Sequence, residues 1–263
     1  MLQHSGSAAG ASPRFADLVS DQPARVLALL GTSVAGWAFL AWLALDMHGA
    51  FAQLTMPMSA AWEAANVLAA WAMWSVMMVA MMLPAALPML LTFGQVARRN
   101  GEPVRAWAFG AAYVLVWLGF GAAGTAAQWA LQGLAWVDPM ALSASPPLTA
   151  ALLVLAGIYQ FSPLKRACLR SCRTPLGFLL GEWRPGVAGA FVMGLRHGML
   201  CLGCCWALML LLFVGGVMNL AWVAALAVAV AVEKLAPGGH RIATLLGLAL
   251  LAAGVIKLVA LGT

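Results

Sequence analysis

Long apolar stretches alternate with short polar ones along this chain, and the apolar stretches are of bilayer-spanning length. Runs of about 20 apolar residues mark spanning helices, and seven can be read: 26–45, 66–91, 107–134, 148–161, 187–217, 219–232 and 242–261. Runs 148–161 and 219–232 are short for a span, and 187–217 is long enough to hold a break. Six spans with one re-entrant or interfacial segment therefore fit almost as well. No stretch shows the alternating polar and apolar strands of an outer-membrane barrel. The predicted fold class is all-α, a polytopic transmembrane helix bundle of about seven spans. Residues 1–25 are expected to form a disordered cytoplasmic tail and 26–263 a single transmembrane domain.

Composition agrees with that pattern. Of 263 residues, 64% are hydrophobic and 8% charged, with a mean hydropathy of +0.94. A soluble domain carries about 25% charged residues, so this chain has too few to cover a water-facing surface. Basic residues orient membrane proteins by their excess on the cytoplasmic side. Arg14 and Arg25 precede the first run, while Arg98, Arg99 and Arg105 follow the second. Lys165, Arg166, Arg170, Arg173 and Arg184 follow the fourth, and Lys234 and Arg241 the sixth. The alternate loops, 46–65 and 135–147, hold no Lys or Arg but contain Asp46, Glu63 and Asp138. The expected location is the inner membrane, multi-pass, with the N-terminus cytoplasmic. The net charge of +6 is this inside bias, and nucleic acid is not an expected partner. Ala50-Phe51-Ala52 has the small-x-small pattern of a signal-peptide cleavage site. The apolar run before it, however, is longer than the roughly 7–15 residues of a signal core.

Polar groups inside a bilayer are costly and are functional candidates by default. His197 is the one histidine within an apolar run; no two carboxylates share a run, and no Ser/His/Asp set is placed for hydrolysis. An enzymatic role is not indicated, and any chemistry falls to sulfur and imidazole. In "RHGMLCLGCCWALM", Met193 (just upstream), His197, Cys201, Cys205 and Met209 are spaced by four, with Cys204 beside the stripe. Residues at i and i+4 are neighbours on one helix face, so His197, Cys201, Cys204 and Cys205 form the compact candidate metal set. A second ladder, Met73, Met77 and Met81, lies in "WAMWSVMMVAMMLPAALP", with Met78 and Met82 one position over and Pro84 and Pro88 interrupting the helix. Cys168 and Cys172 are also four apart, in a basic loop. The loop before the second run adds Met47, His48, Met56 and Met58. Methionine is also a common hydrophobic filler, and buried cysteine is common in cores, so packing is the rival reading for each residue taken singly.

Thiolate, thioether and imidazole together select Cu(I), with Zn(II) the competitor where thioethers take no part. Four such donors spread too widely around a straight helix to enclose an ion. Either the fifth run bends near Gly198 or Gly203, or another span completes the shell, the methionine ladder being the natural candidate. Gly194 and Gly198 form a G-x-x-x-G pair that admits a close helix neighbour. Arg196 is expected to pair with Glu233. Glu233 and Lys234 read as a snorkelling pair at the inner face, and Lys257 as a further snorkelling residue near the outer face.

"WAMWSVMMVAMMLPAALP", "PLKRACLRSCRTP", "GMLCLGCCWALM" followed by "GGVMN", and "EKLAPGG" together resemble the bacterial family described as predicted metal-binding integral membrane proteins, a domain of unknown function. The resemblance implies a metal but no reaction. The functional expectation is therefore an integral membrane protein that binds a soft transition metal, Cu(I) before Zn(II), for transfer, sensing or transport. The expected path leads from the outer Met/His loop through the ladder to the His/Cys set and on to Cys168 and Cys172. Its expected partners are the lipid bilayer, the metal ion and a metallochaperone or oligomer partner. Two alternatives remain: a membrane thiol–disulfide oxidoreductase, and a structural subunit whose Cys and Met only pack.

Overall fold

The computed structural model describes residues 15–58 and 61–262, and helices carry almost all of the regular structure there. In chain order these are α1 (Phe15–Ser20), α2 (Pro23–Leu45), α3 (Ala50–Thr55), α4 (Ala64–Arg99), α5 (Val104–Gly133) and α6 (Pro146–Gln160). They are followed by α7 (Pro163–Arg173), α8 (Pro175–Glu182), α9 (Gly186–Leu210), α10 (Leu212–Gly215), α11 (Leu220–Leu235) and α12 (Gly239–Gly262). An isolated bridge between Val137 and Ala144 is the only β pairing among the described residues.

Five segments are long and apolar enough to cross a membrane: α2, α4, α5, α9 with its continuation α10, and α12. The short run at 148–161 becomes α6, which at 15 residues rises about 22 Å at 1.5 Å per residue. It continues through a 65° bend into α7, and the bent pair makes a sixth candidate span. The short run at 219–232 becomes α11, with 16 residues. The all-α bundle is thus as expected, with the length deficits confined to the two runs that are short in the sequence.

The two interior helices are α4 and α9; α2, α5 and α12 turn most of their apolar surface outward. Small residues set the closest approaches. Added Cβ atoms at Gly194 and Gly198 would stand 2.9 Å from Ala112 Cβ and 2.8 Å from Val116 Cγ2, so the G-x-x-x-G pair seats α9 on α5. Pro84 does not break α4, which runs unbroken through it. A proline leaves the carbonyl four residues back without its helical donor, and Ser33 Oγ of α2 donates to that Ala80 carbonyl at 2.8 Å.

Part of the expected N-terminal tail is ordered. Residues 15–20 form α1, where Leu18 is buried. Gln22 Nε2 donates to Leu91 O at 2.9 Å, and Gln95 Nε2 to Asp21 Oδ2 at 3.1 Å. Buried backbone and amide groups need partners, and these bonds tie the segment to α4. The expectation for residues 1–14 lies outside the described residues.

Candidate metal centre

The basic stretch after α6 is a helix with two faces. Lys165, Cys168 and Leu169 are buried and Cys172 half-buried, while Arg166 and Arg170 are exposed. Positions i, i+3, i+4 and i+7 share one face of a helix, so α7 turns its thiols inward and these two guanidinium groups outward. Lys165 Nζ bonds Glu233 Oε2 at 2.6 Å, and Gln160 Nε2 donates to Glu233 Oε1 at 2.9 Å. Arg173 adds two bonds, to the carbonyls of Glu233 (2.6 Å) and Ala236 (2.7 Å). The basic charge of the loop that carries Cys168 and Cys172 is thereby neutralised or directed away.

The α9 stripe faces this helix. His197, Cys201, Cys204 and Cys205 are all buried, and α9 has no break at Gly198 or Gly203. Gly203 instead makes room for α7: a Cβ there would stand 2.8 Å from Cys168 Sγ. Cys172 lies within interaction range of Cys201 and Cys204, as does Cys204 of Cys205. Cys204 Sγ and Cys205 Sγ both donate to the Cys201 carbonyl, at 3.0 and 3.1 Å. All five cysteines are free. Among the described residues, no group of three or more His, Cys, Asp or Glu side chains forms a ready-made ion site. Two of the thiols are turned back onto their own helix.

Two polar side chains reach Cys201 that the sequence reading did not bring there. Lys234, 5% exposed, places Nζ 3.0 Å from Cys201 Sγ, 3.8 Å from Met82 Sδ and 4.0 Å from Cys205 Sγ. Among the described residues its ammonium meets no carboxylate. Tyr113 Oη lies 3.1 Å from Cys201 Sγ and 3.3 Å from Met82 O. The expected Glu233–Lys234 snorkelling pair is therefore corrected. Successive residues on a helix point about 100° apart, so Glu233 turns to Lys165 while Lys234 turns to the sulfurs. Arg196, expected to pair with Glu233, instead bonds Glu182 Oε2 at 2.7 Å, because Glu233 is already engaged. One available signal for Tyr113 was rarity: the chain has two tyrosines, and both contact α9, since Tyr159 Oη donates to Gly203 O.

His197 sits among rings, with centroids of Phe178 at 5.4 Å, Tyr113 at 5.8 Å and Phe109 at 5.9 Å. Its Nδ1 is buried without a hydrogen-bond partner among the described residues. Such an orphan nitrogen, together with a soft sulfur donor set, fits a transition metal. Met73, Met77 and Met81 are fully buried in the core, and Met73 and Met77 border a void of about 10 Å³ between α2, α4 and α11. The α4 methionine that reaches the Lys234–Cys201 group is Met82, one position off the ladder.

Fold and site together define a helical membrane protein with thiols gathered inside the bundle. A family model named PpoB2, described as "Copper chaperone", matches residues 71–257, and the chain belongs to that family. The match agrees with the metal-related resemblance carried by the sequence blocks. No curated protein and no solved structure matches the chain.

Proposed function

We propose that this protein is a membrane copper chaperone that carries Cu(I) as cargo on thiolates drawn from Cys172, Cys201, Cys204 and Cys205. The observation that carries this reading is the meeting of thiols from two helices at one buried place, beside a thioether and an ammonium. Bound thiols lose their protons, so Cu(I) held by two thiolates has a net charge of −1. Lys234 supplies +1 beside Cys201, which makes the loaded centre neutral where an uncompensated charge is expensive. Loading requires Cys204 and Cys205 to rotate away from the Cys201 carbonyl, a side-chain motion of low cost. The free Nδ1 of His197 is an auxiliary donor. Met73, Met77 and Met81 form a thioether route along α4, and Cys168 lines the contact with Gly203 at the edge of the thiol group.

The test is elemental analysis of the full chain, purified reduced in detergent from copper-replete cells. Copper, in excess over zinc and bound through sulfur by X-ray absorption, is the expected result. Metal-free protein that also fails to take up Cu(I) under anaerobic conditions overturns the reading.

Orientation is part of the proposal, because the end bearing Arg98, Arg105 and Arg173 is then cytoplasmic in the inner membrane. An alkaline phosphatase fusion after residue 140 is expected to be active, and fusions after Arg105 or Arg173 inactive. The opposite pattern would invert the protein.

A further inference from the structure

At the end of the bundle opposite the basic residues, a pocket of about 340 Å³ is lined by Met47, His48, Gln53, Met56, Met58 and Met140. Met47 and His48 come from the turn between α2 and α3, and Met56 and Met58 from the residues just after α3, all ahead of the residues matched by the family model. Met140 comes from the loop after α5.

Packing accounts for Met56, which is buried, and for Met47, which lies half-buried against the core, but not for the other two methionines. Methionine is useful as filler when it is buried among apolar neighbours, yet Met58 is 71% exposed and Met140 54% exposed. Side-chain bonds hold the surrounding backbone at several points. Gln128 Nε2 donates to Thr55 O at 2.8 Å and Asn66 Nδ2 to Leu54 O at 3.1 Å, so α3 is bound to α5 and α4. Asp138 Oδ1 accepts from the Met140 and Ala141 amides at 3.0 and 2.7 Å, which holds the facing loop and occupies a nearby carboxylate. Four methionines and one histidine therefore line one cavity whose flanking backbone is held by these bonds.

We propose that this pocket is a second binding site, for Cu(I) held by thioether sulfur with the His48 imidazole. The donor chemistry is specific. Thioethers are soft and neutral, so they select Cu(I) over Zn(II) and form no disulfides where thiols would oxidise. The site is separate from the thiol group. From Asn66, level with the pocket, to Met82, beside Lys234, α4 rises about 24 Å. The inference shares with the copper reading only the metal, and it stands if the thiol group binds none.

Anaerobic Cu(I) titration of the full chain against a coloured Cu(I) chelator tests it. A variant with Cys172, Cys201, Cys204 and Cys205 all changed to Ser is expected to keep one Cu(I) per chain. Adding Met58→Leu and Met140→Leu, at exposed positions that leave the core alone, is expected to weaken that site at least about tenfold. In the wild-type background the same two substitutions lower the stoichiometry from two to one, so the result does not depend on the four-serine chain folding. Unchanged Cu(I) binding after the Met substitutions, or equal binding of Zn(II), overturns the inference. Copper bound at the pocket but not at the cysteines supports it and sinks the thiol reading instead.

Discussion

Cys201→Ser is expected to leave the purified protein with less than about a tenth of the wild-type copper at the thiol group, and Cys168→Ser to leave most of it. Cys201 is the hub of that group. Its sulfur meets Lys234 and Tyr113, its carbonyl holds the thiols of Cys204 and Cys205, and Cys172 of α7 lies within interaction range of it. Serine preserves the hydrogen bonds to Lys234 and Tyr113 and nearly the volume, so the fold is spared while a soft donor becomes a hard one. Removing a residue that only orients a ligand already costs about 10–100-fold in metal affinity, and removing a ligand costs at least as much. Cys168 instead packs against Gly203. Inductively coupled plasma measurements on the two serine variants, each checked for an unaltered size-exclusion profile, decide the matter. Equal copper in both would show that Cys201 is a packing residue.

The helices were legible because their signals are local. Each apolar run carries its own length and hydropathy, and the two short runs announced their own shortness. The four-residue spacing of the α9 stripe also survived, since α9 is continuous from Gly186 to Leu210. What sequence reading missed depends on contacts between distant segments. Cys172 was a candidate in a basic loop, but only the fold supplies Glu233 to Lys165 across 68 positions and so turns that loop's charge away. Lys234 read as a snorkelling residue because it ends the sixth apolar run at the inner face. That α11 tips it inward onto Cys201 depends on α4 and α9, neither adjacent in the chain. Along α4, the regular ladder members Met73, Met77 and Met81 are buried, while Met82, one position off the ladder, is the methionine that reaches Lys234.

A buried ion pair is central to the docking of α7, and its disruption is expected to be the largest single stability effect in the protein. Lys165 and Glu233 are both essentially without solvent exposure and 2.6 Å apart. Taking away one partner of a buried pair costs about 3–5 kcal/mol, because the remaining charge is left uncompensated, whereas replacing both partners by neutral groups is often close to neutral. Lys165→Met is therefore expected to destabilise the protein by about that much, leaving the Glu233 carboxylate with Gln160 alone. The double variant Lys165→Met/Glu233→Gln is expected to recover most of the loss. Reversible unfolding in mixed micelles, with the wild type and both variants measured at one pH, gives the comparison. Copper retention should follow the same order, because α7 carries Cys172 and is positioned by this pair together with the Arg173 bonds to the end of α11. A single variant that loses less than about 1 kcal/mol would place the pair in the class of weak, solvent-screened bridges. A double variant no better than the single would show that geometry, not charge, holds α7 in place.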